Sequence, residues 1–347
     1  MKAAVFEQFR MPLSVREVSE PAVRPDSAII AVRACGLCRS DWHGWMGHDS
    51  DVHLPHVPGH ELAGDIVAVG NLVQHWKPGQ RVTVPFCCGC GRCDQCASGN
   101  QHICDRYTQP GFTQWGAFAE FVEIRHADVN LVALPDSIDY VTAASLGCRF
   151  ATSFRAIVVQ GQTKAGDWVA VHGCGGVGLS AVMIAAAIGA HVIAIDVRDD
   201  RLELARHCGA AHVVNAKEVT DVVQAVRDLS SGGVHVSLDA LGSRQTCWNS
   251  VRSLQKRGRH VQVGLLLGSE SDPPVPMGAV IANELQILGS HGMQAFEYHR
   301  MLSLIESGAI KPAMLISDRV SLTEASLLLP KMNEFPGHGV TVIDRFV

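Results

Sequence analysis

The chain has 347 residues, of which 47% are hydrophobic, and this is enough to bury two domain cores. Its 29 Lys and Arg residues against 34 Asp and Glu residues give a formal net charge of -5, which offers no electrostatic reason for binding nucleic acid or an anionic membrane. The sequence lacks the run of about eighteen apolar residues that a membrane span needs, and its first residues do not resemble a signal peptide. We therefore expect a cytoplasmic protein with a small-molecule partner.

The first half of the chain is predicted to form irregular β structure. Residues 1 to about 150 are rich in Gly, Pro and Cys, with short β-branched runs at 28–32 and 81–84 between turns. The stretch ACGLCRSDWH at 34–43 holds two thiols, a hydroxyl, a carboxylate and an imidazole. Such a concentration of metal-binding and proton-transferring groups indicates a chemical site.

A catalytic zinc is typically held by three protein ligands, which leave one position open. Cys38 in this stretch is one candidate ligand, and His60 in PGHELAG is a second. Glu61 follows His60 and is interpreted as a supporting carboxylate or an alternate ligand. The third ligand must come from elsewhere, and Cys148 in LGCRFATSFRA is the best-placed candidate.

A second metal site is predicted by four cysteines spaced C-x2-C-x2-C-x7-C, which are Cys90, Cys93, Cys96 and Cys104. Four thiolates fill a tetrahedral shell, so this pattern favours a structural zinc that stabilises its loop. Disulfides are a weaker alternative in a reducing compartment, and a nucleic-acid-binding zinc ribbon would carry more basic neighbours. Cys87 and Cys88, just before the array, are interpreted as packed residues, with competition for the zinc as the alternative.

From Trp168 onward, apolar strand runs alternate with helical patterns. Six runs predict the strands of a doubly wound parallel sheet, namely WVAVH, HVIAID, HVVN, VHVSLDAL, RHVQVG and LQILGS. A helix-like stretch at 297–310 and a strand-like stretch at 339–344 follow this sheet and are expected to rejoin the first domain. We therefore predict a nucleotide-binding domain at 150–290 and a second domain formed by 1–149 and 291–347.

The first βα turn of this sheet matches the dinucleotide-binding pattern G-x-G-x-x-G, and its candidate coenzyme contacts are Gly173, Gly175, Gly176, Val177 and Gly178. The pattern follows a predicted strand and precedes a predicted helix, as a nucleotide site requires. Gly173 permits the tight turn, Gly175 lets a pyrophosphate approach the helix N-terminus, and Gly178 allows the helix to pack closely on the strand.

The end of the second predicted strand indicates which dinucleotide is bound. Asp196 lies there, where an acidic side chain accepts hydrogen bonds from the adenosine ribose and repels a 2′-phosphate. We therefore predict NAD rather than NADP. Arg198, two residues further on, is the one nearby residue that argues for NADP.

Together these motifs resemble the medium-chain, zinc-dependent alcohol dehydrogenases. GLCRSDWH, GHE, the cysteine array, GCRFATSF and GCGGVG follow one another in that family's order and approximate spacing, over almost the whole chain. The resemblance implies an α/β protein, with a GroES-like catalytic domain of irregular β structure and a Rossmann domain that binds NAD. It also implies two zinc ions per chain and hydride transfer between NAD and an alcohol, which yields an aldehyde or a ketone.

The resemblance further implies roles for individual residues. Cys38, His60 and Cys148 would hold the catalytic zinc, Asp41 would orient His60, Ser40 would bond the substrate oxygen, and His43 would pass its proton to solvent. Coenzyme contacts are implied for Arg39, with the pyrophosphate, and near the nicotinamide for Thr152, Val263, Gly264 and Leu265. Phe86 matches a substrate-pocket position, whereas Trp42 and Trp115 either line the pocket or pack the β domain.

The sequence leaves the substrate open. The apolar pocket candidates favour a hydrophobic alcohol, and a polyol dehydrogenase of the same superfamily is the alternative, although those enzymes tend to carry a glutamate where Cys148 stands. A non-catalytic NAD-binding zinc protein is a more distant alternative, because it would have no use for Ser40 and His43. Family members of this compact length are commonly homotetramers, so we expect a tetramer rather than a dimer.

Overall fold

The computed structural model describes residues 1–334 and 339–346, which fall into two compact units. The first unit comprises Met1–Ala151, Gly292–Gly308 and Pro312–Val347, and the second comprises Thr152–His291 and Ala309–Lys311. The main boundaries differ by one or two residues from the predicted ones. Ala309–Lys311 lies with the second unit, where the backbone N–H of Lys311 donates to Sδ of Met183. Residues 335–338 and 347 of the predicted first domain lie outside the described residues.

The strands are numbered in chain order. They are β1 (Lys2–Val5), β2 (Ser14–Glu17), β3 (Ala28–Leu37), β4 (Glu61–Val69), β5 (Arg81–Thr83), β6 (Phe121–Ile124), β7 (Val132–Ala133), β8 (Trp168–His172), β9 (His191–Asp196), β10 (His212–Asn215), β11 (Val234–Asp239), β12 (Leu254–Gln262), β13 (Gln286–Gly289), β14 (Ile316–Ser321) and β15 (Val340–Arg345).

The α-helices are α1 (Arg39–Met46), α2 (Asp94–Ala97), α3 (Ala127–Asn130), α4 (Tyr140–Ala144), α5 (Ala151–Phe154), α6 (Gly176–Ile188), α7 (Asp199–His207), α8 (Val222–Leu229), α9 (Arg244–Arg252), α10 (Met277–Asn283), α11 (Tyr298–Glu306) and α12 (Leu322–Leu328). Helix α5 lies between two π-helical turns, Leu146–Phe150 and Arg155–Gln160. Short 3₁₀ turns occur at Gln101–Ile103, Gly268–Glu270, Ala295–Glu297, Pro312–Leu315 and Leu329–Glu334. Among these helices, none combines the length and the apolar character that crossing a membrane requires.

The first unit is built on a sheet of order β14-β15-β3-β4-β5-β7, with β6 also paired to β3. All of its pairs are antiparallel except that between β14 and β15. Strand β3 lies at the centre because its apolar run buries both faces, with the Ile30 and Cys35 side chains in the core. Strand β15 pairs with β3, so the predicted strand at 339–344 does return to this unit.

The second unit contains a six-stranded sheet of order β10-β9-β8-β11-β12-β13 in which every pair is parallel. The order reverses between β8 and β11, which is the doubly wound topology predicted from the alternating strand and helix patterns. Strands β8, β9 and β11 are buried over nearly their whole length, which explains why they read as continuous apolar runs in the sequence. The predicted fold class is confirmed.

The register of the second sheet aligns the ends of three strands. His172 of β8 lies beside Asp239 of β11, which lies beside Gln262 of β12. In open parallel sheets, ligands bind outside the carboxyl ends of the strands, at the point where the strand order reverses. The turn at 173–178, directly after β8, therefore begins at that point.

Candidate active site

The side chains of Cys38, His60 and Cys148 converge in the first unit, and their ligand atoms all lie within 4.8 Å of one another. Cys38 lies between β3 and α1, His60 directly precedes β4, and Cys148 lies in the π-helical turn at 146–150. Nε2 of His60 is buried and has no hydrogen-bond partner among the described residues. Two thiols and an orphaned imidazole nitrogen are donors that zinc prefers, so this group fits a zinc ion with one coordination position left open.

The turn that carries Cys148 is fixed through the carbonyl oxygen of Gly147. This oxygen accepts hydrogen bonds from the backbone N–H of Phe86, at 3.1 Å, and from the hydroxyl of Tyr298, at 3.3 Å. Tyr298 is fully buried and begins helix α11, whose return to the first unit was predicted from the sequence. The C-terminal segment thus helps to position one member of the candidate metal site.

Asp41 supports this site through hydrogen bonds to His60 and to the backbone next to it. Its Oδ1 lies 2.8 Å from Nδ1 of His60 and accepts the backbone N–H of Gly59, while its Oδ2 accepts the backbone N–H of Cys38. Burial alone lowers the pKa of His60, but the Asp41 carboxylate and the thiol of Cys38 raise it well above its ordinary value. One carboxylate therefore orients the imidazole and fixes the backbone on either side of it.

The two thiols of this group affect each other. A hydrogen bond from Cys148 lowers the pKa of Cys38 well below its ordinary value, and the same bond raises the pKa of Cys148. This hydrogen bond favours the thiolate form of Cys38, which is the form that binds a metal. A cation between the two sulfurs would favour loss of the proton from Cys148 as well.

Glu61 is engaged by a buried arginine. Both the backbone N–H and Nε of Arg149 donate to Oε1 of Glu61 at 3.1 Å, and the guanidinium also bonds Oε2. Burial raises the pKa of Glu61, and the charge of Arg149 opposes this effect. Among the described residues, Glu61 is not one of those whose donor atoms cluster with Cys38. The geometry therefore favours the supporting role over that of an alternate ligand.

Ser40 and His43, the two predicted proton-transfer residues, both lie on α1. Oγ of Ser40 is 3.8 Å from Sγ of Cys38, beside the candidate metal site. His43 lies further along the helix, where its Nδ1 is 3.1 Å from Nδ1 of His48. Burial lowers the pKa of His43 to about 4, and the charges of Arg39 and His48 add to this effect. The His43 imidazole is therefore neutral at physiological pH.

Two aromatic rings lie against the imidazole of His60. Phe86 lies 6.1 Å from it and Phe112 lies 5.4 Å from it, measured between ring centroids, and both meet it edge to face. Trp42 instead packs in the core of the first unit, under the guanidinium of Arg39. Trp115 is partly exposed and donates its indole N–H to the carbonyl of Pro55. Of the three predicted pocket residues, only Phe86 contacts His60.

The four cysteines of the predicted array form a second compact group. The sulfurs of Cys90, Cys93, Cys96 and Cys104 lie within 4.8 Å of one another, and all four residues are buried. Cys87 and Cys88 are also buried, but in the described part of the chain they are not members of this group. Four thiols with no other ligand type fit a closed tetrahedral zinc site.

The glycine-rich turn of the second unit has the geometry of a nucleotide-binding loop. Gly173 adopts φ 94°, a left-handed conformation that a side chain would strain. A Cβ atom on Gly178 would lie 1.8 Å from the carbonyl oxygen of Gly173, so only glycine lets α6 begin this close to β8. Gly175, Gly176 and Val177 form the N-terminus of α6, where backbone N–H groups can receive a phosphate.

Asp196 lies at the carboxyl end of β9 and bonds three backbone N–H groups. Its Oδ2 accepts from Cys174 at 2.7 Å, and its Oδ1 accepts from Val197 at 2.7 Å and from Arg198 at 3.1 Å. The side chain of Arg198 bonds Asp200. Asp196 therefore holds the glycine-rich turn in place, in addition to its predicted role toward the ribose.

Two of the predicted nicotinamide contacts, Val263 and Gly264, are held by Asp239. Its backbone oxygen accepts from the N–H groups of Val263 and Gly264, and its Oδ1 accepts from those of Leu241 and Gly242. Its Oδ2 accepts from Gln262 and from Thr246, at 3.0 and 3.1 Å. Thr152 is buried on α5, and Leu265 is exposed.

Comparisons with known proteins agree with this arrangement. The family model described as the alcohol dehydrogenase GroES-like domain matches residues 24–136, and the one described as zinc-binding dehydrogenase matches residues 176–307. The chain is 37% identical over 314 residues to an alcohol dehydrogenase of Geobacillus stearothermophilus, which is 90% of each chain. This chain belongs to the zinc-dependent medium-chain alcohol dehydrogenases. The resemblance predicted from the sequence is thereby confirmed.

Other members of this family align over nearly their whole length. An NAD-dependent alcohol dehydrogenase of Saccharolobus solfataricus is 31% identical over 99% of each chain. The solved alcohol dehydrogenase TADH from Thermus sp. ATN1 superposes with a TM-score of 0.92, at 30% identity and with all of both chains covered. A sorbitol dehydrogenase of Bacillus subtilis is 31% identical and spans 99% of this chain. Family membership therefore indicates the class of reaction, whereas the relatives differ in the substrate that their names give.

Three features of this dehydrogenase were not predicted from its sequence. Arg149 stands beside Cys148 in the motif, but spacing gives no sign that it reaches Glu61. Phe112 approaches His60 from a loop, and no periodicity marks such a contact. Asp239 could have been recognised as a candidate from its place at the end of an apolar strand run. Its hydrogen bonds could not, because they depend on the paths of the neighbouring loops.

Proposed function

We propose that this chain is an NAD-dependent alcohol dehydrogenase that oxidises hydrophobic alcohols to aldehydes or ketones and catalyses the reverse reduction. Cys38, His60 and Cys148 would hold a catalytic zinc, and Cys90, Cys93, Cys96 and Cys104 a structural zinc, which makes two per chain. The convergence of the first three residues, with Asp41 behind His60, is the observation that carries the proposal. The NAD-dependent relative supports the choice of coenzyme.

Bound zinc supplies Lewis acidity toward the alcohol oxygen, and bound NAD supplies the acceptor for the hydride. The hydroxyl of Ser40, beside Cys38, takes the proton that the substrate oxygen releases. His43 carries this proton outward, and its neutral imidazole suits the task because it can accept at one nitrogen and donate from the other. The rings of Phe86 and Phe112, which lie against His60, favour an apolar substrate.

A polyol dehydrogenase is the second candidate, since the sorbitol dehydrogenase relative spans almost the whole chain. The two aromatic rings against His60 argue for an apolar alcohol, because a sugar alcohol needs hydrogen-bond partners for its additional hydroxyls. Cys148 supports the same choice, given that polyol enzymes resembling this chain tend to carry a glutamate there.

Nicotinamide absorbance tests the proposal directly. The zinc-loaded enzyme is assayed with NAD and with NADP against ethanol, 1-butanol, cyclohexanol, benzyl alcohol and sorbitol, with a strong chelator in parallel. We expect chelator-sensitive NAD reduction that is fastest with an apolar alcohol. Preference for sorbitol would support the polyol alternative. Zinc-loaded protein that binds NAD without oxidising any of these alcohols would support the non-catalytic alternative.

A homotetramer in the cytoplasm completes the proposal. Strand β13 is an edge strand of the second sheet, and Ile287 on this strand and Ile281 on the preceding helix are exposed by 40% and 77%. An unpaired edge with exposed apolar side chains is suited to contact with a second copy. Light scattering coupled to size exclusion measures the mass of the assembly, and a mass other than that of four chains would contradict the tetramer.

A further inference from the structure

A second histidine lies directly against the predicted relay residue. The Nδ1 atoms of His43 and His48 are 3.1 Å apart, so one ring donates a hydrogen bond and the other accepts it. The ring centroids are 5.4 Å apart, and Trp42 meets both rings edge to face. His48 is exposed to solvent, whereas His43 is partly buried. The pair therefore links a shielded imidazole to bulk water.

The end of helix α1 accounts for this contact. Gly47 adopts φ 78°, a left-handed conformation that ends the helix and turns the chain back over its last turn. The backbone N–H of His48 then donates to the carbonyl oxygen of His43 at 3.0 Å. This six-residue closure brings His48 onto the side of the helix that carries His43. The backbone therefore brings the two residues together, and their side-chain rotamers then place the two Nδ1 atoms 3.1 Å apart.

The contact also assigns the two nitrogens of His43. A relay imidazole must receive a proton at one nitrogen and release another proton from the other. Because His48 occupies Nδ1 of His43, this nitrogen is the outer one, and Nε2 is left for the side of Ser40 and the substrate. We propose that His48 is the outer member of a two-histidine proton relay, which takes the proton from His43 and passes it to water.

Each alcohol that is oxidised releases one proton, and this proton passes through both rings. Neutral His43, protonated at Nδ1, receives a proton at Nε2 and gives its Nδ1 proton to the Nδ1 lone pair of His48. His48, protonated at Nε2 beforehand, then releases that proton to water. Both rings return to their starting tautomers by exchange with water between turnovers, and carbonyl reduction runs the same path in reverse.

The charges around the pair favour outward transfer. Arg39 lies near His43 and, together with burial, disfavours a proton that stays on this ring, while Cys38 favours it to a smaller degree. His48 lies in solvent, where a transient positive charge is hydrated. A positive charge that arrives at His43 is therefore stabilised by moving to His48.

This inference rests on the proposed dehydrogenase function. Three variants test it. His48→Gln removes the outer ring, His43→Gln removes the inner one, and His53→Gln is the matched control, since His53 is exposed on the same loop and makes no hydrogen bond with His43 in the described chain. Stopped-flow nicotinamide absorbance gives the rate constant of the first turnover with the best alcohol of the panel. The rate is recorded across pH in weak buffer, with and without added imidazole.

We expect His48→Gln to slow the first turnover about tenfold near neutral pH, less than the hundredfold or more typical of a positioned base, because water still reaches His43. Added imidazole should restore the rate, and His48→Gln should have no further effect in a His43→Gln background. Equal rates for His48→Gln and His53→Gln would overturn the relay. So would a slow variant that imidazole does not rescue, since that loss would be structural.

A spectroscopic readout separates this inference from the proposed function. Histidine ring nitrogens labelled with nitrogen-15 report the tautomer of His43 in the protein without substrate. We expect the Nδ1 resonance of His43 to shift in His48→Gln and to stay unchanged in His53→Gln. If the wild-type enzyme oxidises no alcohol of the panel, the proposed function fails, whereas an unshifted resonance overturns the histidine pair itself.

Discussion

Nδ1 of His60 lies 2.8 Å from Oδ1 of Asp41, and neither side chain has any exposed surface. The charge of Asp41 orients this imidazole and raises the basicity of its nitrogens. Asp41→Asn removes that charge, so zinc affinity should fall about 10- to 100-fold. Competition with a chromophoric chelator measures the affinity. Asp136→Asn is the control, since the Asp136 side chain is fully exposed. Affinity within threefold of the wild type would show that Asp41 does not support the metal.

The buried pair of Glu61 and Arg149 gives a prediction for stability. Arg149→Met leaves the Glu61 carboxylate buried without its partner, and breaking such a pair typically costs about 3–5 kcal/mol. Glu61→Gln combined with Arg149→Met removes both charges and should be less destabilised than Arg149→Met alone. Urea unfolding of the single and double variants completes a double-mutant cycle. A double variant as unstable as the sum of the singles would contradict direct coupling.

The cysteine array predicts a change in metal content. Cys104→Ser removes one of four buried thiols, so the bound zinc should fall from about two ions per chain to about one, with a lower melting temperature. Cys88→Ala is the matched control, because Cys88 is buried near the array but lies outside the group of four. Elemental analysis by mass spectrometry counts the zinc. Two ions retained in Cys104→Ser would mean that Cys87 or Cys88 replaces the lost ligand.

Asp196 should control coenzyme choice. Asp196→Ala removes the negative charge at the end of β9, and the ratio of kcat/KM for NADP over NAD should rise about tenfold. Asp196→Asn keeps an oxygen that can accept from Cys174 or Val197. Comparison of the two variants therefore distinguishes the effect of losing the negative charge from the effect of losing the hydrogen bonds that support the turn. An unchanged coenzyme ratio in both variants would show that Asp196 serves only the turn.

His172 predicts a pH dependence of stability. Burial lowers its pKa to about 4, although Asp239 partly opposes this, and neither ring nitrogen has a hydrogen-bond partner among the described residues. Between pH 4 and 6.5 the unfolded chain therefore binds more protons than the folded chain, so stability rises with pH across this window. His172 alone should contribute about 2 kcal/mol between pH 5 and pH 7.

His172→Phe removes this contribution and leaves the other buried histidines in place. The urea midpoint, measured at pH 5 and pH 7 for both proteins, should therefore depend less on pH in the variant. An equal pH dependence in the two proteins would mean that His172 titrates normally.

The strands of the second unit were predictable because their signal is local. A continuous apolar run marks β8 and β9 at their observed bounds, since both faces of each strand are buried. Strand β14 was missed because three consecutive residues in it are exposed, and the sequence there shows no alternation. Strand β12 begins at Leu254, earlier than its predicted start at 259, since its first half contains Lys256 and Arg257.

The candidate site was predictable where residue type and spacing carry the chemistry, as for Cys38 and His60. It was not predictable where long-range packing decides. The sequence left open whether Trp42 lines the pocket or packs the β domain, and the structure places it in the core of the first unit. Phe112 and Arg149 reach the site from loops and turns whose paths no local pattern encodes.

The carboxylate of Asp41 bonds the backbone N–H groups of Cys38 and Gly59 as well as the imidazole of His60. Two candidate ligands from separate segments of the chain are thus joined through one side chain. A displacement of the turn between β3 and α1 would therefore also turn the imidazole, so Cys38 and His60 would move together rather than independently.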